Sequence, residues 1–148
     1  MSLYKRLEDD MRQALKAKDA VRLSVLMMLI SAVKMFEIEK NIKEPEDKDV
    51  IQIVQRQVKQ HRDSIDQFTK GGRMDLAVKE TEELKILETY LPRQMTEDEL
   101  LVIIKGVIAD LGAIKKSETG RVMKAVMEKV QGGSDGKTVN QLVMKLLD

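Results

Sequence analysis

The sequence of 148 residues contains no cysteine and only one histidine. The absence of cysteine excludes a disulfide framework, a thiolate zinc site and a cysteine nucleophile. One histidine excludes a metal site built from two imidazoles of one chain. We expect no metal and no cofactor. Together with the lack of an N-terminal signal segment, the missing cysteines predict a cytoplasmic location.

Long apolar runs and an excess of one charge are also missing. The longest apolar run, Val25 to Val33, is far shorter than the roughly twenty residues that span a bilayer, so we expect no membrane contact. The chain has 26 basic and 25 acidic residues, with 17 of each in residues 1–92 and 9 against 8 in residues 93–148. This balance gives no long-range attraction to nucleic acid, and any RNA contact must use a local patch.

Apolar residues recur at helical spacing throughout, and no alternating pattern typical of strands is present. The sequence therefore predicts an all-α protein. Pro92 and the capping box of Thr96 and Glu99 divide it into an N-terminal four-helix bundle, residues 1–92, and a C-terminal three-helix domain, residues 95–148.

Four helices are predicted in the N-terminal domain. The first runs from Leu3 to Ala17, and the second is capped by Asp19 and apolar around nearly its whole circumference, with Met27 among its buried residues. The third has Pro45 in its first turn and ends at Gly71-Gly72. Its predicted seam contains Ile51, Val54, Val58, His61, Ile65 and Phe68. The fourth begins near Asp75 and is stopped by Pro92.

The stretch QGGSDGKT, residues 131–138, resembles a phosphate-binding loop. That loop requires a glycine, four spacer residues and then Gly-Lys-Ser/Thr, and it follows a strand. Here Gln131 stands at the position of the first glycine, after a helical pattern. We therefore predict a turn between two helices, in which Gly132 or Gly133 ends one helix in the left-handed conformation. Ser134 or Asp135 would cap the next helix.

His61 and the stretch KETEELK are the other candidates for chemistry. A single imidazole between Val58 and Ile65 is interpreted as a packed core residue bonded to a neighbour. Glu80 and Glu83 share a helix face, which would suit paired-carboxylate catalysis. Nearby basic residues favour exposed helix ion pairs instead.

Basic residues near the start of the sixth helix and the glycine turn are the candidate RNA contacts. They are Lys115, Lys116, Arg121, Lys124 and Lys137. A helix N-terminus with free N–H groups suits a phosphate. Glu128 falls on the same helix face, and residues 93–148 contain no aromatic side chain on which a base could stack. Such a patch could hold an RNA backbone without reading its sequence.

The tail TGRVMKAVMEKVQGGSDGKTVNQLVMKLL, residues 119–147, resembles the C-terminal helical module of the GatB/YqeY family. Further segments, KAKDAVRLSVLMMLISAV and RDSIDQF among them, resemble the stand-alone YqeY-like proteins across nearly the whole chain. The resemblance implies two helical domains. It also implies kinship with the tail of the amidotransferase B subunit, which helps to hold tRNA, and a family-level carbon–nitrogen ligase label.

Three hypotheses for the function remain. The first is a non-catalytic accessory that binds a tRNA-like RNA or a translation-related complex through its C-terminal module. The second is glutamine-dependent amide transfer, either as the protein's own activity or as an accessory to a ligase. The third is an adaptor whose protein partner docks beside Tyr90, Leu91 and Pro92.

Overall fold

A computed structural model describes all residues of the chain, 1–148, and it contains helices and no strand. The prediction of an all-α protein is confirmed. The seven helices are α1 (Leu3–Ala17), α2 (Ala20–Lys40), α3 (Asp47–Lys70), α4 (Met74–Glu88), α5 (Glu97–Leu111), α6 (Thr119–Val130) and α7 (Gly136–Leu146), with a 3-10 turn at Lys116–Glu118. None of them combines the length and apolar character needed to cross a membrane. The chain divides into two compact units, Met1–Leu91 and Pro92–Asp148.

Side chains at or near the first turn fix the starts of α2 and α3 in the N-terminal unit. The Asp19 carboxylate accepts a hydrogen bond from the Arg22 N–H, as its sequence position predicts. At the start of α3, the Glu46 N–H donates a hydrogen bond to Asp49 Oδ2 at 3.0 Å, and Glu46 is the residue that caps the helix. Pro45 therefore lies one residue before the cap, and its predicted place inside the first turn is wrong.

The core of the N-terminal unit is built from one face of each helix. Val54, Val58 and His61 of α3 are buried as the predicted seam requires, whereas Ile51 is only half-buried. Met27 is 53% exposed, so its predicted burial is wrong. The buried members of this core are Leu7, Ala14, Val25, Leu26, Leu29, Ile30, Val33, Val50, Ile53, Val54, Val58, Leu87 and Tyr90.

A polar contact ties α1 and α2 to the segment after α4. The Tyr90 hydroxyl donates a 2.6 Å hydrogen bond to Asp10 Oδ2, and the Arg22 guanidinium lies 3.6 Å from the same oxygen. The Arg6 guanidinium stacks 4.7 Å from the centre of the Tyr90 ring. Burial, followed by the hydrogen bond to Asp10, raises the pKa of Tyr90 to about 12.

The C-terminal unit packs α5, α6 and α7 around a small aliphatic core. Thr96 caps α5 by accepting from the Glu99 N–H. The Glu99 carboxylate receives two hydrogen bonds from Arg93, at 3.1 and 2.7 Å, so we assign only the Thr96 half of the predicted capping box. Gly112 ends α5 with a positive φ of 64°. Buried members of this core are Leu100, Ile104, Val107, Ala113, Val122, Val126, Val130, Val139, Leu142, Val143 and Leu147.

Candidate functional site

The glycine turn between α6 and α7 contains two consecutive left-handed residues. Gln131 has φ 46° and Gly132 has φ 85°, whereas Gly133 has no positive φ. Of the two predicted glycines, Gly132 is therefore the left-handed one, and the helix already ends at Gln131. The Asp135 carboxylate caps α7 by accepting from the Thr138 N–H at 2.9 Å, which confirms Asp135 as one of the two predicted caps.

The same turn is packed against the segment that precedes α5. The Met95 N–H donates to the Gly133 carbonyl at 2.7 Å, and the Gln94 amide donates to the Gly132 carbonyl at 3.1 Å. Gly132, Gly133 and Ser134 are buried. A phosphate loop offers backbone N–H groups to its ligand. In this turn the carbonyl groups instead accept hydrogen bonds from neighbouring donors, so the turn is a buried connection between α6 and α7.

Arg121 and Glu118 hold the loop between α5 and α6. The Arg121 guanidinium donates to Glu118 Oε1 at 2.8 Å and to the Leu111 carbonyl at 3.2 Å. The Glu118 carboxylate also accepts from the Ile114 and Lys115 N–H groups. These backbone bonds, followed by the Arg121 charge, lower the pKa of Glu118. Of the five candidate RNA contacts, Arg121 is thus already engaged within the fold.

The four lysine candidates are exposed, and none of them forms an ion pair. Lys115 and Lys116 lie before the first turn of α6, and Lys124 lies three residues beyond Arg121 on the same face. Lys137 lies in the first turn of α7, beyond the other end of α6. With 12 residues, α6 is about 18 Å long, and of the four lysines only Lys124 lies within it. Glu128, also exposed, follows Lys124 by one helical turn.

The other cluster of ionisable side chains joins α3 to α4. His61 Nε2 lies 3.2 Å from Glu83 Oε2 and 3.5 Å from Glu80 Oε2, and His61 Nδ1 lies 2.9 Å from the Gln57 carbonyl. The side chains of Glu83 and Glu80 are only 13% and 24% exposed. The prediction of a buried, neighbour-bonded histidine is confirmed.

The predicted exposed ion pairs of Glu80 and Glu83 with basic residues nearby in sequence are wrong. Both carboxylates point to His61, and Arg73 pairs with Asp75 instead. Spacing along one helix shows only that Glu80 and Glu83 share a face. The contact with His61 depends on how α4 folds back after the turn at Gly71-Gly72, which no local pattern encodes.

Nearly the whole chain is similar to one family of known proteins. The family model described as "Yqey-like protein" matches residues 4–147. The Kluyveromyces lactis protein named "Altered inheritance of mitochondria protein 41, mitochondrial" is 32% identical over 127 residues, which are 84% of this chain and 66% of that relative. The protein of the same name from Vanderwaltozyma polyspora is 34% identical over 85 residues, 57% of this chain and 46% of its own length. The chain thus spans less than two thirds of these relatives.

The prediction of a cytoplasmic location is contradicted by these comparisons. The relatives from Kluyveromyces lactis, Vanderwaltozyma polyspora and Lachancea thermotolerans are all named as mitochondrial proteins. The cytoplasmic prediction used missing cysteines and a missing signal segment. A lack of disulfide bonds, whether the cysteines are reduced or missing, is compatible with every non-secretory compartment. The missing cysteines therefore could not exclude a mitochondrial location.

Proposed function

The chain belongs to the YqeY-like protein family, and from this premise we propose that it is a non-catalytic, translation-associated accessory that binds the backbone of a tRNA-like RNA. The binding unit in this proposal is Pro92–Asp148, taken as a GatB/YqeY-type module. The resemblance of residues 119–147 to the tRNA-holding tail of the amidotransferase B subunit supports the choice of RNA.

One observation carries the proposal. Lys115, Lys116, Lys124 and Lys137 are exposed and unpaired, while Glu118 and Asp135 beside them accept hydrogen bonds from backbone N–H groups. Residues 112–148 have seven basic and four acidic side chains, a net charge of +3, although the whole chain is nearly neutral. Free lysines on a locally positive segment are the groups that neutralise phosphates and release counterions.

The side chains of this unit support recognition of phosphates and not of bases. Residues 93–148 contain no aromatic side chain, so stacking on bases is absent from this unit. Lysine ammonium groups bind phosphate as point charges and carry no sequence information. We therefore expect binding that depends strongly on salt and only weakly on RNA sequence.

The structure disfavours a nucleotide at the glycine turn as a competing ligand. The Asp135 carboxylate accepts a hydrogen bond from the Thr138 N–H in the first turn of α7, and its charge repels phosphate from that helix end. Gly132 and Gly133 are buried under Gln94 and Met95. Phosphate contact is thus left to the exposed lysines.

Affinity for purified tRNA measured at several salt concentrations tests the proposal. The double variant Lys124→Ala, Lys137→Ala should bind more weakly, and the slope of log affinity against log salt should fall by about 2, one for each phosphate that the variant no longer neutralises. The matched control is Lys59→Ala, Lys79→Ala, which removes two exposed lysines from the N-terminal unit.

The control should keep the affinity and salt slope of the unmodified protein. Equal decreases in the two double variants would show that only net charge matters and would reject the assigned surface. Absence of any salt-dependent binding by the unmodified protein would reject the proposed function itself.

A further inference from the structure

The His61 ring is held in a single orientation by a backbone group. Its Nδ1 lies 2.9 Å from the Gln57 carbonyl oxygen, which can only accept a hydrogen bond. Nδ1 therefore carries a proton. In the neutral ring Nε2 is then an unprotonated lone pair, and this lone pair faces Glu83 Oε2 and Glu80 Oε2.

Three electron-rich atoms thus converge in a mostly buried position. Ionised Glu80 and Glu83 are acceptors only, and both pair with His61. A divalent cation bound by both carboxylates and the neutral imidazole gives a net charge of zero, which suits a site with little solvent.

We propose that His61, Glu80 and Glu83 form a binding site for a divalent transition-metal ion of the zinc class. Zinc binds imidazole nitrogen and carboxylate oxygen at about 2.0–2.1 Å, so neighbouring ligand atoms of a tetrahedral site are about 3.3 Å apart. The two distances from His61 Nε2, 3.2 and 3.5 Å, match this edge. All three ligand atoms lie within 4.8 Å of one another, so binding in this geometry requires the two oxygens to move to about the same spacing.

The hydrogen bond at the second nitrogen of the His61 ring is typical of metal-binding histidines. Such a histidine almost always donates its other N–H to a carboxylate or a backbone carbonyl, as His61 does to Gln57. Three protein ligands leave the fourth position of a tetrahedral ion for water. The ion would join α3 to α4 within the N-terminal unit and stabilise their packing, independently of RNA binding.

Zinc binding to the full-length, chelator-treated protein tests this site. Equilibrium dialysis with elemental analysis should find one zinc ion per chain, and added zinc should raise the melting temperature by mass action. Glu83→Gln, which keeps the shape of the side chain and removes its charge, should weaken zinc binding by at least about 100-fold, and His61→Gln should do the same. Substitution by Co²⁺ should give the visible absorption of a tetrahedral site.

The matched control is Glu82→Gln on the same helix, because Glu82 is exposed and does not belong to the cluster. This variant should bind zinc as the unmodified protein does. If His61→Gln unfolds by circular dichroism, the two carboxamide variants Glu80→Gln and Glu83→Gln decide the matter. Lack of zinc binding by the unmodified protein, or equal weakening in Glu82→Gln and Glu83→Gln, would overturn the proposal.

Discussion

Replacing Gly133 by alanine tests the packed glycine turn most sharply. A Cβ atom at this position would lie 3.0 Å from the Val130 carbonyl oxygen, 3.2 Å from Met95 Cγ and 3.5 Å from the Arg93 carbonyl oxygen. The Met95 side chain can move aside, but both carbonyls belong to backbone that is held by α6 and by the bond from Met95 N–H to Gly133. Overpacking against such groups costs about 1–3 kcal/mol.

The assay is urea unfolding of the full-length chain, followed by a probe placed in the C-terminal unit. Gly136→Ala is the matched control, because it makes the same chemical change three residues away, where a Cβ atom meets nothing within 4 Å. Gly136 is the first residue of α7 and has no positive φ, so alanine there should stabilise the unit by about 0.4–1 kcal/mol. The two substitutions should therefore have opposite signs.

Equal effects of the two substitutions would refute this reasoning. If Gly133→Ala leaves the free energy of unfolding unchanged, the backbone around Gly133, at Val130 and Arg93, is not packed against it in solution as the structure shows.

Three further predictions concern stability. Leu29 is fully buried and Met27 is 53% exposed, so Leu29→Ala should cost about 2–5 kcal/mol in urea titrations and Met27→Ala less than about 0.5 kcal/mol. The folded-state pKa of Tyr90 lies above its ordinary value of 10.0, at about 12, so the stabilisation from its hydrogen bond to Asp10 is complete below pH 10 and disappears as the pH rises toward 12. The difference in melting temperature between the unmodified protein and Tyr90→Phe should shrink over that range. The pKa of Glu118 is lowered from its usual value of 4.5, so the ionised carboxylate stabilises the fold at pH values above 4.5, and this stabilisation disappears as the pH falls below that value. Glu118→Gln should therefore lower the melting temperature at neutral pH but not at acid pH.

Local signals predicted the helices well because caps and turns are encoded by neighbouring residues. Leu3 and Ala17 bound α1 as predicted, and Asp19 and Thr96 cap the helices that follow them. Each of these features needs only a side chain and a backbone N–H three residues away. Such contacts form in the same way whatever the rest of the chain does.

Burial on an apolar helix could not be predicted from its pattern. In α2 the apolar residues surround the axis, so periodicity does not indicate which face meets the core. The packing of α1, α3 and α4 selects Val25, Leu26 and Leu29 and leaves Met27 in solvent. Which apolar residues of α2 are buried is therefore determined by tertiary contacts.

The contacts at the candidate sites could not be predicted either, because they join residues that are far apart in the sequence. The His61 cluster joins residues 22 positions apart, and its existence depends on the register between α3 and α4. At the glycine turn, the sequence indicated a corner but not that Arg93 and Met95 would lie against Gly133. Helix-face spacing predicted that Lys124 and Arg121 share a face, yet only the structure shows that Arg121 is engaged with Glu118.

An NMR titration of the ¹⁵N-labelled 16.9 kDa chain with a short RNA helix tests the central claim most directly. That claim is that the lysines contact RNA while the glycine turn stays closed. We expect the amide signals of Lys115, Lys116 and Lys124 to shift with increasing RNA, and those of Gly132 and Gly133 to stay in place. Shifts concentrated at the two glycines, or no shift at any of these lysines, would contradict the account.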